Sequence, residues 1–296
     1  LLALTRKGES VDELVGAALA MRGHMSAIRT SREVVIDTCG TGGDGSRTFN
    51  ISTAAALVTA AAGVPVAKHG NRRVTSRTGS ADVLAELGVN IGASLACVAD
   101  CLDELGICFC FAPLAHGSME RVARVRRELG VRTIFNLLGP LTNPAGAQFQ
   151  LLGIAQPHWQ PLLAEALRRL GTRRALVVHG DDGLDEVTLA TATTVYEATP
   201  EGVRQFIWQP ADFGLQRQPL DALEVDDPAA SAVLIRRVLA GEAGTARDIV
   251  VANAAAALWT AGRADSPRAG AALAENAIDS RQAAALLAQL AERSHR

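Results

Sequence analysis

Apolar residues recur at helical spacing from 11 to 22, VDELVGAALAMR. Val11, Leu14, Val15, Ala18 and Met21 share one face there and predict an amphipathic helix. The β-branched run EVVIDT (33–38) predicts a strand leading into the glycine cluster GTGGDG (40–45). Asn50-Ile51-Ser52-Thr53 then precedes the alanine-rich stretch 54–62. Polar caps ahead of strong helix formers predict a helix, which Gly63 ends. VPVAKHG (64–70) reads as the next strand and its exit loop. Strand, glycine loop, helix, strand is a βαβ unit, whose crossover makes the two strands parallel.

The alternation continues along the chain. SADVLAEL (80–87) predicts a helix capped by Ser80, ICFCF (107–111) a buried strand, and ERVARVRREL (120–129) a helix. QLLGI (150–154), ALVVH (175–179) and TTVYEA (193–198) are strand candidates. Residues 228–241 and 246–262 read as helices, and helices alternate to the end. No internal repeat or long low-complexity linker breaks the pattern. The expected class is α/β, a large domain whose central sheet is mainly parallel and flanked by helices.

A length of 296 residues with 48% hydrophobic content allows one large core, or a large domain with a small one. The net charge of −2 gives no basic field of the kind a nucleic-acid partner calls for. No apolar run reaches the roughly 18–20 residues that span a bilayer. The opening Leu1-Leu2-Ala3 lacks a basic region followed by an apolar stretch, so no signal peptide and a cytoplasmic location are expected. Cys97, Cys101, Cys108 and Cys110 crowd one stretch, with Cys39 apart. Their spacing is wrong for a zinc knuckle, and an odd count argues against a disulfide framework. They are expected to be reduced and inert.

Three constellations carry chemistry. Gly40-Thr41-Gly42-Gly43-Asp44-Gly45 follows a strand, and its glycines let backbone amides approach an anion, helped by the helix that opens beside Ser52. The pattern also fits a dinucleotide fingerprint, but residues 54–71 contain no acid for a ribose. Asp44 inside the loop favours a sugar phosphate with Mg²⁺ over a bare phosphate. The second constellation is Lys68-His69-Gly70-Asn71-Arg72-Arg73-Val74-Thr75-Ser76, at a strand end. Lys and Arg together number 29, and only Lys7 and Lys68 are lysines, so Lys68 marks a place for a compact ammonium. The third, His179 to Glu186, puts adjacent carboxylates after a strand, where they suit Mg²⁺ or form a solvated acidic turn.

Together, GTGGDG, NIST (50–53), KHGN (68–71), GSADVL (79–84), VRRELGVRTIFNLLGPLTNP (125–144) and DGLDE (182–186) resemble the anthranilate phosphoribosyltransferase family over essentially the whole chain. The resemblance implies a large α/β domain (33–121 and 145–296) and a small all-α domain (1–32 and 122–144), with the active site at their hinge. It implies a phosphoribosyl pyrophosphate (PRPP) site at Gly40, Gly43, Asp44, Thr48, Asn50, Ile51, Ser52, Thr53, Lys68, His69, Gly70, Asn71, Arg72, Arg73, Val74, Thr75, Ser76 and Ser80. Anthranilate contacts fall on Gly40, Asn71 and Arg126. Two Mg²⁺ ions per subunit fall on Ser52, Asp185 and Glu186. A homodimer through the helical domain is implied, with no nucleic-acid or membrane partner. The family joins anthranilate to PRPP in tryptophan biosynthesis.

The aromatic amine is neutral at pH 7, so no general acid or base is assigned. Stabilising the departing pyrophosphate and holding the reactants in line would supply the catalysis. Arg126 suits a carboxylate because its fork matches two oxygens. Arg73 and Thr75 stand where the family often has serines, and Gly117 where it commonly has proline. The opening LLALTRKGES resembles a segment the family places some way in, so the helix at 11–22 is expected to expose its apolar stripe and to weaken the dimer. The alternatives are a pyrimidine nucleoside phosphorylase-like enzyme and a non-catalytic nucleic-acid-binding relative of the same fold.

Overall fold

The β-branched and aromatic runs assemble into one seven-stranded sheet in a computed structural model that describes residues 1–72, 78–117, 122, 125 and 128–296. The strands are β1 (Ile36–Gly40), β2 (Val66–Gly70), β3 (Ile107–Phe111), β4 (Phe149–Gly153), β5 (Arg174–Gly180), β6 (Thr193–Thr199) and β7 (Gly202–Trp208). Their order is β3-β2-β1-β4-β5-β6-β7. The first five are parallel, and β6 and β7 join antiparallel at one edge. The mainly parallel α/β class is therefore what the chain adopts. β7 has no counterpart in the sequence reading. Its Arg204 and Gln205, on opposite faces, both face solvent and interrupt the apolar alternation of GVRQFIW.

The helices are α1 (Leu2–Lys7), α2 (Val11–His24), α3 (Ile51–Ala61), α4 (Ser80–Glu86), α5 (Leu95–Leu105), α6 (Ala112–Ala115), α7 (Phe135–Leu138) and α8 (Gln160–Arg169). The chain ends with α9 (Pro228–Leu239), α10 (Thr245–Thr260), α11 (Pro267–Asp279) and α12 (Gln282–Arg293). Neither α5 nor α8 is among the expected helices. α5 carries Cys97 and Cys101 on its buried side, one turn apart. All five cysteines are free and buried. Burial pushes the Cys101 thiol up to about 12 and raises Cys39 as well, which keeps both in the unreactive thiol form. Of the helix expected over 120–129, only Val122, Val125, Glu128 and Leu129 are described, and they are helical.

Two helix starts differ from expectation. Gly79, not Ser80, caps α4, and Ser80 Oγ donates instead to the Asn71 carbonyl at 3.4 Å. Asn50 occupies the cap position of α3, but its side-chain oxygen accepts from Ser231 Oγ at 2.9 Å rather than from the helix.

Each sheet face has its own apolar cluster. α3 and α10 fill one face, where eleven residues of α10 are buried. On the other face, Leu14 and Ala18 of α2 pack with Ile134, Leu137, Leu138 and Leu141, with Leu163 and Leu167 of α8, and with Leu152 and Val177 of the sheet. The apolar stripe of α2, expected to be exposed, is instead covered. Leu14 and Ala18 are fully buried, and Val11, Val15 and Met21 rest against the same cluster. α8, unseen in the sequence, supplies the cover. Ser10 opens α2 with a complete capping box, accepting from Glu13 N while Glu13 accepts from Ser10 N.

Candidate active site

The chain winds outward from β1 in both directions, to β2 and β3 on one side and to β4 and β5 on the other. The carboxyl ends of β1 and β4 are thus the topological switch point, where open α/β sheets bind ligands. Both strands end in glycine there, and Gly40 pairs with Gly153. The segment after β5 lies directly over this pair. A Cβ on Gly153 would stand 1.6 Å from the Asp185 carbonyl oxygen, and one on Gly40 2.6 Å from Asp185 Oδ2. Only glycine lets the acidic segment descend this far.

The glycine loop follows at once. Gly42, Gly43 and Gly45 take positive φ of 64°, 77° and 78°, a conformation that side chains disfavour. Gly42 N–H donates to Asp185 Oδ2 at 2.7 Å. Asp44 Oδ1 accepts from Ser46 N at 3.2 Å, closing a local turn. Thr48 Oγ1 lies 3.2 Å from Ser46 Oγ, and its backbone pairs with Glu224.

Across the loop stands the amino end of α3. Ser52 N–H donates to Glu186 Oε1 at 3.0 Å, so a carboxylate rests on the positive end of the helix. Ser52 Oγ accepts from Lys68 Nζ at 3.2 Å, and the same ammonium donates to the Thr38 carbonyl. Ile51 and Thr53 are buried in the first turn, and Asn50 N–H donates to Ser231 Oγ at 3.0 Å. Asn253 of α10 pins the acidic segment from below. Val187 N–H donates to its Oδ1, and its Nδ2 donates to the Val187 carbonyl, both at 2.9 Å.

The electrostatics are those of enclosed charges with incomplete partners. Burial, then repulsion from Asp44, raises Asp185 to about 7 against the help of the Gly42 amide. Burial, then repulsion from Asp185, raises Glu186 to about 8 against the help of Lys68 and Ser52. Burial lowers Lys68, opposed by Asp37 first and by Glu186 and Asp185 after it. Adjacent carboxylates raised in this way lack positive charge, which makes them candidates for a cation.

β2 alternates sides, and this separates the KHGN residues. Lys68 faces α3, whereas buried His69 turns its Nδ1 to the Gly139 carbonyl at 3.1 Å and packs near the His116 ring. The His69 ring therefore points to the side opposite Lys68. A Cβ on Gly70 would stand 2.1 Å from Ser80 Oγ, which holds α4 close behind the strand end. Asn71 and Arg72 are exposed. Arg72 pairs with Asp82 at 3.0 Å, and Asn71 Oδ1 accepts from Arg72 N. Arg73, Val74, Thr75, Ser76 and Arg126 lie outside the described residues. The sequence reading missed Ser231, Asn253 and Arg132, which hold the site from distant parts of the chain. Arg132 lies inside a quoted motif, which was the one available signal.

The family described as "Glycosyl transferase family, a/b domain" matches residues 32–284. The anthranilate phosphoribosyltransferase of Rhodopirellula baltica is 53% identical over 292 residues, covering 99% of this chain and 85% of that protein. The anthranilate phosphoribosyltransferase of Moorella thermoacetica is 52% identical over 287 residues, covering 97% and 85%. Among solved structures, anthranilate phosphoribosyltransferase from Thermus thermophilus matches with a TM-score of 0.94 at 46% identity, over 100% of this chain and 88% of that chain. The Saccharomyces cerevisiae enzyme in complex with PRPP and Mg matches at 0.91 and 28% identity, over 99% and 83%.

Proposed function

The chain belongs to the anthranilate phosphoribosyltransferase family, and on that premise we propose that it transfers the phosphoribosyl group of PRPP to the amine of anthranilate. The products are N-(5-phosphoribosyl)anthranilate and pyrophosphate, a step of tryptophan biosynthesis. One observation carries the reading: a glycine loop, a helix amino end, the half-buried Asp185 and the buried Glu186 meet at the switch point of the sheet.

Mg²⁺ fits these residues. Asp185 and Glu186 are adjacent, Asp185 raised by burial and by Asp44, Glu186 by burial and by Asp185, and both are thus short of positive charge. Among the described residues no group of three or more His, Cys, Asp or Glu forms a metal cluster. Mg²⁺ commonly uses one or two carboxylates and takes its other oxygens from phosphates and water. Asp185 and Glu186, with Ser52, would hold it, and two ions per subunit is our reading. Bound there, Mg²⁺ supplies positive charge to the departing pyrophosphate.

The protein's own groups do the rest. Amides of the loop donate to phosphate oxygens, and Lys68 holds Ser52 in place beside Glu186. Arg126, Asn71 and Gly40 receive the acceptor, with the Arg126 fork on its carboxylate. The neutral amine needs no base, so positioning at C1′ is the main contribution. Residues 1–32 and 122–144 act as a smaller helical unit beside the α/β unit of 33–121 and 145–296, and two copies associate through it. Among the described residues no helix is long and apolar enough to cross a membrane, and a cytoplasmic enzyme is our reading.

Anthranilate fluorescence gives the test. It falls when chain, PRPP and Mg²⁺ are all present, and stays constant when EDTA removes the metal. A signal unchanged in the complete mixture would refute the activity.

A further inference from the structure

The glycine loop is gripped on both sides. On one side Gly42 N–H donates to Asp185. On the other, Arg132 Nη2 donates to the Gly43 carbonyl at 2.9 Å and to the Gly42 carbonyl at 3.5 Å. Arg132 comes from a segment about ninety residues further along the chain. Its guanidinium lies 5.7 Å from the centre of the Trp159 ring, and both residues line a cavity of 290 Å³ with Thr133, Leu137, His158 and Leu162.

A planar trans peptide points its carbonyl and the following N–H in opposite directions. Holding the Gly42 carbonyl therefore fixes the Gly43 N–H on the far side of the loop. Holding the Gly43 carbonyl does the same for the Asp44 N–H. Neither amide has a hydrogen-bond partner among the described residues. Positive φ at Gly42 and Gly43 leaves these peptides the conformational freedom of glycine, so some other group must select the orientation.

We propose that Arg132 is a positioning residue that aims the free Gly43 and Asp44 amides at the pyrophosphate of PRPP. This rests on the assignment of the loop to PRPP. The arginine acts through the two peptide planes whose carbonyls it holds. A guanidinium is suited to the task because one nitrogen reaches two neighbouring carbonyls while the plane lies near an aromatic ring.

The test uses the full chain with Mg²⁺, comparing wild type, Arg132→Met and Arg132→Lys. PRPP affinity is read by calorimetry, the KM for anthranilate and kcat by fluorescence, and the loop amides by NMR of ¹⁵N-glycine-labelled protein. Arg132→Met should weaken PRPP by about 10- to 100-fold, as expected for loss of charge-assisted hydrogen bonds. The anthranilate KM at saturating PRPP should move less than about threefold. Arg132→Lys should recover part of the loss, and the Gly43 resonance should shift in Arg132→Met without PRPP present. Wild-type PRPP affinity in Arg132→Met, or an unmoved Gly43 resonance, overturns the inference and leaves the PRPP assignment standing. Failure of the wild type to bind PRPP overturns both. If Arg132→Met does not fold, Arg132→Lys decides alone: intact PRPP affinity with an unmoved Gly43 resonance overturns the positioning role, and a selective PRPP loss upholds it.

Discussion

Gly153 shows how one residue sets the height of the acidic segment above the sheet. An alanine there would drive its Cβ to 1.6 Å from the Asp185 carbonyl, a backbone atom that cannot swing aside. Gly153→Ala should therefore lift the segment, cost about 1–3 kcal/mol of stability and weaken Mg²⁺-dependent PRPP binding together. Thermal denaturation and calorimetry on one preparation would check both, and a variant with unchanged binding would dissociate the carboxylate pair from PRPP binding. The carboxylates also predict a pH dependence of the metal-free protein. Folding raises Asp185 to about 7 and Glu186 to about 8, so the folded state holds protons the unfolded state has released. Their stabilising contribution is complete below about pH 4 and is lost as pH rises through 7 to 8. His69, lowered to about 3 by burial, works the other way, but only up to its ordinary value of 6.5. In EDTA, stability should thus fall between pH 7 and 8.5. The double variant Asp185→Asn, Glu186→Gln should flatten that slope in denaturant melts, and equal slopes would refute the raised values.

At the scale of elements, the helix layer over α3 depends on close approach rather than on propensity. Replacing a helix-interior glycine by alanine ordinarily stabilises by roughly 0.5–1 kcal/mol. Gly270 of α11 should reverse that sign. A Cβ there would stand 2.7 Å from the Ala255 carbonyl and 3.0 Å from its Cα, both backbone atoms of α10. Gly270→Ala is expected to lower stability by about 1–3 kcal/mol, because α10 can yield only by moving away from its partners. A higher melting temperature would show that the two helices have slack. α10 in turn carries Asn253, which binds both backbone groups of Val187, so a helix shift here should reach the acidic segment.

Across the whole molecule, the helical layer formed by α1 and α2 still presents Leu1, Leu2 and Leu19 to solvent, at 40%, 44% and 55% exposure. These are apolar residues on the unit proposed to mediate association, while Leu14 and Ala18 are spent on the internal cluster. If two copies join there, Leu19→Glu should move the sedimentation coefficient toward the monomer over a micromolar concentration series, because a buried carboxylate without a partner is strongly disfavoured. The activity of the monomer, measured below its dissociation constant, should persist, since the glycine loop, the helix end and the acidic segment are joined by hydrogen bonds within a chain. A sedimentation profile unaltered by Leu19→Glu would place the contact elsewhere.

Local pattern was enough for the parallel α/β class and for naming segments that meet at the switch point. A βαβ unit announces itself through short-range periodicity, and a glycine loop with an acid pair is a contiguous string of residues, so GTGGDG, Lys68 and Asp185-Glu186 could be read one segment at a time. Distant partners could not. Arg132 on the loop carbonyls, Ser231 on Asn50 and Asn253 on Val187 each act across 66 to 181 residues, and no periodicity encodes which carbonyl a remote side chain will meet. Burial of the α2 stripe was equally invisible, because it depends on α8, a helix absent from the sequence reading. The direction of His69 turned on strand alternation around Lys68, a choice made only when β2 took its register between β1 and β3. Sequence therefore determined which groups exist and in what order. The tertiary structure decided which of them face one another, because that depends on long-range packing whose free energy no local segment contains.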